Sequence, residues 1–166
     1  GTPGAAGRFN VTFLSPLSGL FGDANSGGHW GAELKYAGYD FIIVRGKADR
    51  PVYLEIINDQ VNIREAADLW GLNVWETTTA IRTRMKDPKA QVLAIGQAGE
   101  KLVRFAAVMS SLTRAAARCG GGAVMGSKNL KAIAVKGSKK IRLADPQGVV
   151  DNFRKIYQAV TSDYKF

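Results

Sequence analysis

Arg114-Ala115-Ala116-Ala117-Arg118-Cys119-Gly120-Gly121-Gly122 runs directly into Ala123-Val124-Met125-Gly126-Ser127-Lys128-Asn129-Leu130-Lys131. Two arginines flank three alanines, and three glycines follow. Small residues strip the backbone of side chains and let a ligand approach it closely. Arginine adds a rigid planar fork of donors that matches phosphate. The combination reads as a surface for a flat, anionic cofactor. Residues 119–128 are expected to form a short helix at most, and Leu130 to Lys136 a strand after it. On a helical turn, Arg114 and Arg118 would share one face. Two adjacent cations repel unless an anion lies between them. The alternative is a pair of exposed arginines on a polar face.

A second stretch has the same character: Gly7-Arg8-Phe9-Asn10 through Asn25-Ser26-Gly27-Gly28. A helix is expected over residues 27–37, with Trp30, Leu34 and Ala37 on one face and Gly38 at its C-cap. A helix N-terminus presents free N–H groups and favours phosphate. The alternative is an ordinary Asn/Ser cap followed by glycines. The segment is not a Walker loop, and no G-x-G-x-x-G sits between a strand and a helix.

Phe9 to Leu14 alternates and reads as a strand ended by Ser15-Pro16-Leu17-Ser18-Gly19. Asp40 to Arg45 reads as a buried strand through Phe41-Ile42-Ile43-Val44. Val52 to Ile57 and Gln60 to Arg64 read as a hairpin across Asn58-Asp59. Asn73 with Glu76 predicts a capping box. Val74, Thr78, Ile81 and Met85 then carry a helix to about Lys86, where Asp87-Pro88 stops it. Gln91 to Ile95 and Val103 to Met109 read as strands. Asp145-Pro146 opens a last helix with Val149, Phe153, Ile156 and Val160 as its stripe. Hairpins dominate, and strands do not alternate regularly with long helices. The expected class is therefore α+β with antiparallel sheets, not a doubly wound parallel sheet.

The chain has 166 residues, enough for one domain with a real core. Its 19 glycines exceed a usual share of about 7% and cluster in residues 1–46 and 96–137. Hydrophobic content of 46% excludes disorder along the whole length. A net charge of +9 points to an anionic partner: nucleic acid, a membrane surface or a phosphate-bearing ligand. One cysteine, Cys119, cannot form an internal disulfide, which favours a reducing, cytoplasmic compartment. No apolar run is long enough for a transmembrane helix. Gly1 to Gly7 has neither the charged start nor the apolar centre of a signal peptide and reads as the middle of something longer.

The remaining reactive residues are sparse. His29, the only histidine, suits a proton carrier or a polar residue outside the site. Cys119 alone cannot build a cluster or zinc site and reads as a small packing residue beside the cofactor. Glu33, Glu65, Glu76 and Glu100 show no spacing for paired acid–base work. Trp70 and Trp75 are expected in the core or at a domain interface. A binding layer is legible here, whereas a nucleophile, a metal-ligand set or an acid–base pair is not.

Several motifs resemble the N-terminal domain of tungsten-containing aldehyde:ferredoxin oxidoreductases. They are Gly7-Arg8-Phe9-Asn10, Ser15-Pro16-Leu17, Ala24 to Gly28, Gly31 to Asp40, Gly96-Gln97-Ala98-Gly99-Glu100, and Arg114 to Ala134. Gly126-Ser127-Lys128-Asn129-Leu130-Lys131-Ala132 is the most specific, and the likeness covers about residues 1–140. The resemblance implies two mainly antiparallel β-sheets with short helices, forming a base for a tungsten bis-pterin cofactor (tungstopterin). It implies that Arg8, Asn25 and Gly27 contact one part of the cofactor, and Arg114, Ala115, Ala117 and Arg118 another. It also implies a magnesium ion on the backbone carbonyls of Asn25 and Ala115, a hard cation on oxygen ligands.

The family's 4Fe–4S cluster needs four cysteines that this chain lacks. In relatives these lie in later helical domains, so residues 141–166 are expected to start the following helical domain. The implied parent enzyme oxidises aldehydes to carboxylic acids and passes electrons through the cluster to ferredoxin or an electron-transfer subunit. The remaining domains of the same polypeptide complete it, and an oligomer is expected. The chain alone is expected to be inactive. Ala117 and Cys119 stand where some members have glycine, and Arg-Ala-Ala-Ala-Arg-Cys-Gly is similar to bacterial branches that include the tungsten subunit of benzoyl-CoA reductases. The substrate is open between those branches. Two readings of other classes stand beside these: a non-catalytic basic nucleic-acid-binding domain, supported by charge alone, and a storage or chaperone protein for the pterin.

Overall fold

The computed structural model describes residues 7–163. Gly1 to Ala6, read above with Gly7 as part of a longer protein's interior, lie outside the described residues.

A two-stranded antiparallel sheet comes first, from β1 (Phe9–Leu14) and β2 (Phe21–Ser26). Helix α1 (Trp30–Ala37) follows it. The main sheet is built from β3 (Val52–Ile57), β4 (Gln60–Glu65), β5 (Gln91–Ala94), β6 (Val108–Ser110), β7 (Arg114–Ala116) and β8 (Leu130–Lys136). Its order is β4-β3-β8-β5-β6-β7. Helices α2 (Val74–Met85), α3 (Gln97–Glu100) and α4 (Gly121–Ser127) sit between its strands in the chain, and α5 (Pro146–Asp163) comes last. This is the expected α+β class with mainly antiparallel pairing; the exception is β3 with β8, which run parallel.

β8 is the spine. Six of its seven residues are buried, because both of its faces are covered. Leu130, Ile133 and Val135 meet Trp30 and Leu34 of α1, Ile56 and Leu93 on one side. Ala132 and Ala134 meet Tyr53, Leu69 and Ile81 on the other. Leu130 and Ile133 are three apart yet share a face, which simple strand alternation forbids. The register against β3 slips at this point, from Val52↔Leu130 to Tyr53↔Ala132, so Lys131 is the extra residue of a bulge. Trp30 is fixed as well as buried: its indole N–H donates to the Ile133 carbonyl at 3.0 Å.

Local signals act where they were read. The Glu76 N–H donates to Asn73 Oδ1 at 3.0 Å and the Asn73 N–H to Glu76 Oε2 at 2.9 Å, closing the capping box of α2. Asp145 Oδ1 accepts from the Gly148 N–H at 2.9 Å at the start of α5. Gly38 ends α1 in the left-handed conformation. Gly126 marks a close approach: a Cβ there would fall 2.0 Å from the Gly99 carbonyl oxygen, so α4 packs against α3 backbone to backbone.

Four expectations are corrected. Asp40 to Arg45 forms no strand. Ile42 and Val44 pack on the core while Phe41 and Ile43 are 73% and 67% exposed, and the edges of β8 are already taken by β3 and β5. Of Val103 to Met109, only Val108 and Met109 are in β6. Leu102 adopts a left-handed φ of 58°, and the Val103 N–H turns back to the Ala98 carbonyl at 2.9 Å. The helix expected from residue 27 begins at Trp30, because Asn25 and Ser26 belong to β2. Arg114 lies on strand β7, not on a helical turn with Arg118. Trp75, expected in the core or at a domain interface, is 58% exposed and so takes no part in the core of this chain. The stripe of α5 is also largely bare, with Phe153, Ile156 and Val160 exposed.

Candidate cofactor cradle

The site is assembled where the β1–β2 sheet meets the outer end of the main sheet. Pairing of β1 with β2 sets Asn10 opposite Asn25. Both are exposed, and Asn25 Nδ2 donates to Asn10 Oδ1. Arg8, just before β1, donates from Nη1 to Asn25 Oδ1 at 3.0 Å. Two of the three residues attributed to that part of the cofactor, Arg8 and Asn25, are therefore already joined. Gly27 and Gly28 continue from β2. A Cβ on Gly27 would lie 3.9 Å from Arg8 Nε, so the arginine passes over bare backbone.

The facing wall is the turn from β6 to β7. Gly28, at φ +95°, abuts it: a Cβ there would fall 2.7 Å from Ser111 Oγ and 3.4 Å from Arg114 Cγ. Arg8, just before β1, and Arg114, on β7, thus reach adjacent glycines, Gly27 and Gly28. β7 is the last strand of its sheet, so part of its backbone is not consumed by the ladder.

Between the walls is an open cleft of about 830 Å³ whose lining includes Arg8, Gly27, Gly28, His29, Arg114 and Ala115. That is ample for a large ligand. Among the described residues no carboxylate lines it. Among the described residues, neither Arg8 nor Arg114 takes part in an ion pair. Fixed positive charge that no protein anion neutralises, beside exposed glycine backbone, is the chemistry of an anion site.

Arg8, Gly27, Arg114 and Ala115 of the expected set line the cleft, and Asn25 joins it through Arg8. Ala117 and Arg118 follow β7 and lie outside the lining. His29 does line it, and is the N-cap residue of α1 without a side-chain cap bond. Asn25 and Ser26 are therefore not the cap that was the alternative reading of this segment. Cys119 is half-buried at φ 65°, and its Cβ packs near Gly22. Sequence reasoning missed Ser111. With Leu112 it forms a pair of non-glycine residues at positive φ, 49° and 65°, and nothing in Ser-Leu signals that conformation.

The sequence profile described as aldehyde ferredoxin oxidoreductase, N-terminal domain, matches residues 1–137. The chain belongs to this family. It is 55% identical to a tungsten-containing aldehyde ferredoxin oxidoreductase of Pyrococcus furiosus, over 85% of this chain and 23% of that protein. It is 50% identical to the Pyrococcus abyssi protein of the same name, over 95% of this chain and 26% of that one. Among solved structures it is similar to the active-site complex BamBC of benzoyl-coenzyme A reductase, with a TM-score of 0.93 at 41% identity, covering 96% of this chain and 24% of that chain. This aldehyde ferredoxin oxidoreductase N-terminal domain spans about a quarter of the length of the relatives it matches. Among its described residues no helix is long and apolar enough to cross a membrane.

Proposed function

We propose that this domain is the cofactor base of a larger tungsten oxidoreductase that converts aldehydes to carboxylic acids. The observation that carries the reading is the pair Arg8 and Arg114, without a protein counter-charge, over the Gly27–Gly28 backbone. The residues present fit a doubly phosphorylated metal–pterin: cations and backbone groups line the cleft and no carboxylate repels the ligand.

Arg8, aimed by its bond to Asn25, and Arg114 would neutralise the phosphates of the cofactor. Gly27 and Gly28 admit the flat ligand to van der Waals contact. The backbone carbonyls of Asn25 and Ala115 would hold a magnesium ion, a hard cation suited to oxygen ligands. Ala117 and Arg118 contact a further part of the cofactor beyond the cleft. When bound, the tungsten centre supplies the two-electron step in which an aldehyde and water yield a carboxylic acid, two protons and two electrons. The domain contributes position and charge. Cysteines elsewhere in the polypeptide would hold a 4Fe–4S cluster, which would supply electron transfer to ferredoxin or to an electron-transfer subunit.

On this reading the positive charge of the chain serves the cofactor and not a nucleic acid. The enzyme works in the cytoplasm as an oligomer, and residues 141–166 open the next, helical domain. The bare stripe of α5 supports that last point. A ring reductase is the second reading, favoured by the match to the benzoyl-coenzyme A reductase complex over 96% of this chain. Higher identity to the aldehyde enzymes puts aldehydes first. The test is anaerobic purification of the full-length protein, metal analysis, and parallel assays with aldehydes and aryl-CoA thioesters. Bound tungsten with aldehyde turnover is expected. Absence of both tungsten and molybdenum overturns the reading, and turnover of the thioester alone transfers it to the ring reductases.

A further inference from the structure

We propose that Ser111 is a positioning residue for the cofactor: its hydroxyl locks the Gly27–Gly28 turn onto the β6–β7 turn that presents Arg114. This rests on the cofactor reading of the cleft given above.

Three hydrogen bonds run in series from one wall to the main sheet. The His29 backbone N–H donates to Ser111 Oγ at 3.2 Å, and the Ser111 hydroxyl donates to Gln91 Oε1 at 3.2 Å. Gln91 Nε2 then donates to the Lys89 carbonyl at 2.8 Å. A hydroxyl that accepts once and donates once has its rotor fixed. Bonds in such a chain reinforce one another. His29 and Ser111 are 82 residues apart, so the link joins parts of the chain that local structure does not hold together.

The backbone at Ser111 supports a functional role. Ser111 and Leu112 both take positive φ, which L-residues avoid. Asn or Gly would turn this hairpin more easily. Serine there keeps a hydroxyl at the one place where it meets Gly28, whose Cβ position lies 2.7 Å from Ser111 Oγ. Strain retained beside a ligand cleft is a mark of positioning. Ser111 need not touch the ligand. It sets how deep the glycine backbone lies and where Arg114, three residues on, begins its strand.

The test uses the full-length protein purified anaerobically, with Ser111→Ala, Ser111→Gly and Gln91→Leu. Three quantities are read: release of tungsten into chelator, the electron paramagnetic resonance line shape of the metal, and thermal unfolding. Loss of one neutral hydrogen bond should speed release about fivefold in all three variants. S111A and S111G should share one altered line shape. S111A/Q91L should be no worse than either single change, because the two act through one chain of bonds. S111G removes the hydroxyl while easing the backbone, so its unfolding temperature should not fall with its metal retention. Wild-type release and line shape in S111G overturn the proposal, as does release that follows unfolding temperature across the set. A loaded wild type with an indifferent S111A sinks the role of Ser111 alone; a wild type without tungsten or molybdenum sinks the cofactor reading and this inference with it.

Discussion

Lys131 and Glu100 form an ion pair almost wholly out of water, their side chains 0% and 5% exposed. Each has a second task. Lys131 Nζ also donates to the Leu72 carbonyl at 2.8 Å, and Glu100 accepts from the Gly71 N–H at 3.0 and 2.9 Å. The bulge in β8 turns Lys131 toward this partner. Removing one member of such a pair leaves the other charged and unpaired, at roughly 3–5 kcal/mol. Lys131→Met is expected to destabilise the domain by that much, and Lys131→Met with Glu100→Leu by clearly less. Amide exchange over residues 91–136 in full-length protein, followed through a denaturant series, reads both.

Gly126 is expected to tolerate no side chain. Gly126→Ala sets a methyl 2.0 Å from the Gly99 oxygen, and rigid backbone on both sides prevents cheap relief. A loss of about 3 kcal/mol follows from overpacking. Solvent-exposed Gly46, with nothing near its Cβ position, is the control for general loss of glycine: its cost comes from its positive φ alone and should be about 1 kcal/mol.

Arg8→Gln and Arg114→Gln are each expected to lower tungsten content at least about tenfold, as loss of a charge-assisted hydrogen bond predicts. Neither arginine has an acidic partner whose loss would unfold the domain, so unfolding temperature should hardly move. Metal analysis of matched anaerobic preparations decides the matter. Full occupancy in R114Q would remove Arg114 from the cradle.

Asp87 gives a prediction about pH. Its carboxylate accepts from the Lys89 N–H at 2.7 Å and faces Lys136 Nζ at 3.3 Å; the backbone bond first, and then Lys136, hold its pKa below the ordinary aspartate value. A depressed folded pKa means that the unfolded chain binds the proton more readily. The stabilisation is complete above the unfolded pKa of about 3.9 and is lost as pH falls through the lower folded value. Asp87→Ala should therefore cost about 1 kcal/mol at pH 7 and progressively less at lower pH. Denaturation midpoints of both proteins between neutral and acid pH should converge.

How far the sequence disclosed this fold depends on where the information lay. The capping box at Asn73 and Glu76, the turn at Asn58-Asp59 and the apolar run of β8 are local, and each formed as read. β2 was invisible because its inward residues are Gly22, Ala24 and Ser26, which lack apolar weight; only pairing with β1 makes them a strand. Alanines at 115 and 116 favour a helix, yet pairing with β6 holds them extended. Asp40 to Arg45 had the right residues for a strand but packs Ile42 and Val44 on the core without joining a sheet. In the cleft, arginine and glycine announced themselves by type. Ser111 did not, since its role comes from a backbone conformation and a contact across 82 residues.

The parallel union of β3 with β8 sets an order for biosynthesis. Residues 58–129 separate the two strands, and the loop they close is long, so its closure is entropically costly and slow. The spine strand emerges from the ribosome after every other strand of its sheet. Until it slots between β3 and β5, both leave an apolar edge open. A nascent chain halted before Lys136 would thus present two sticky borders, and the interval before insertion is when a chaperone has most to protect.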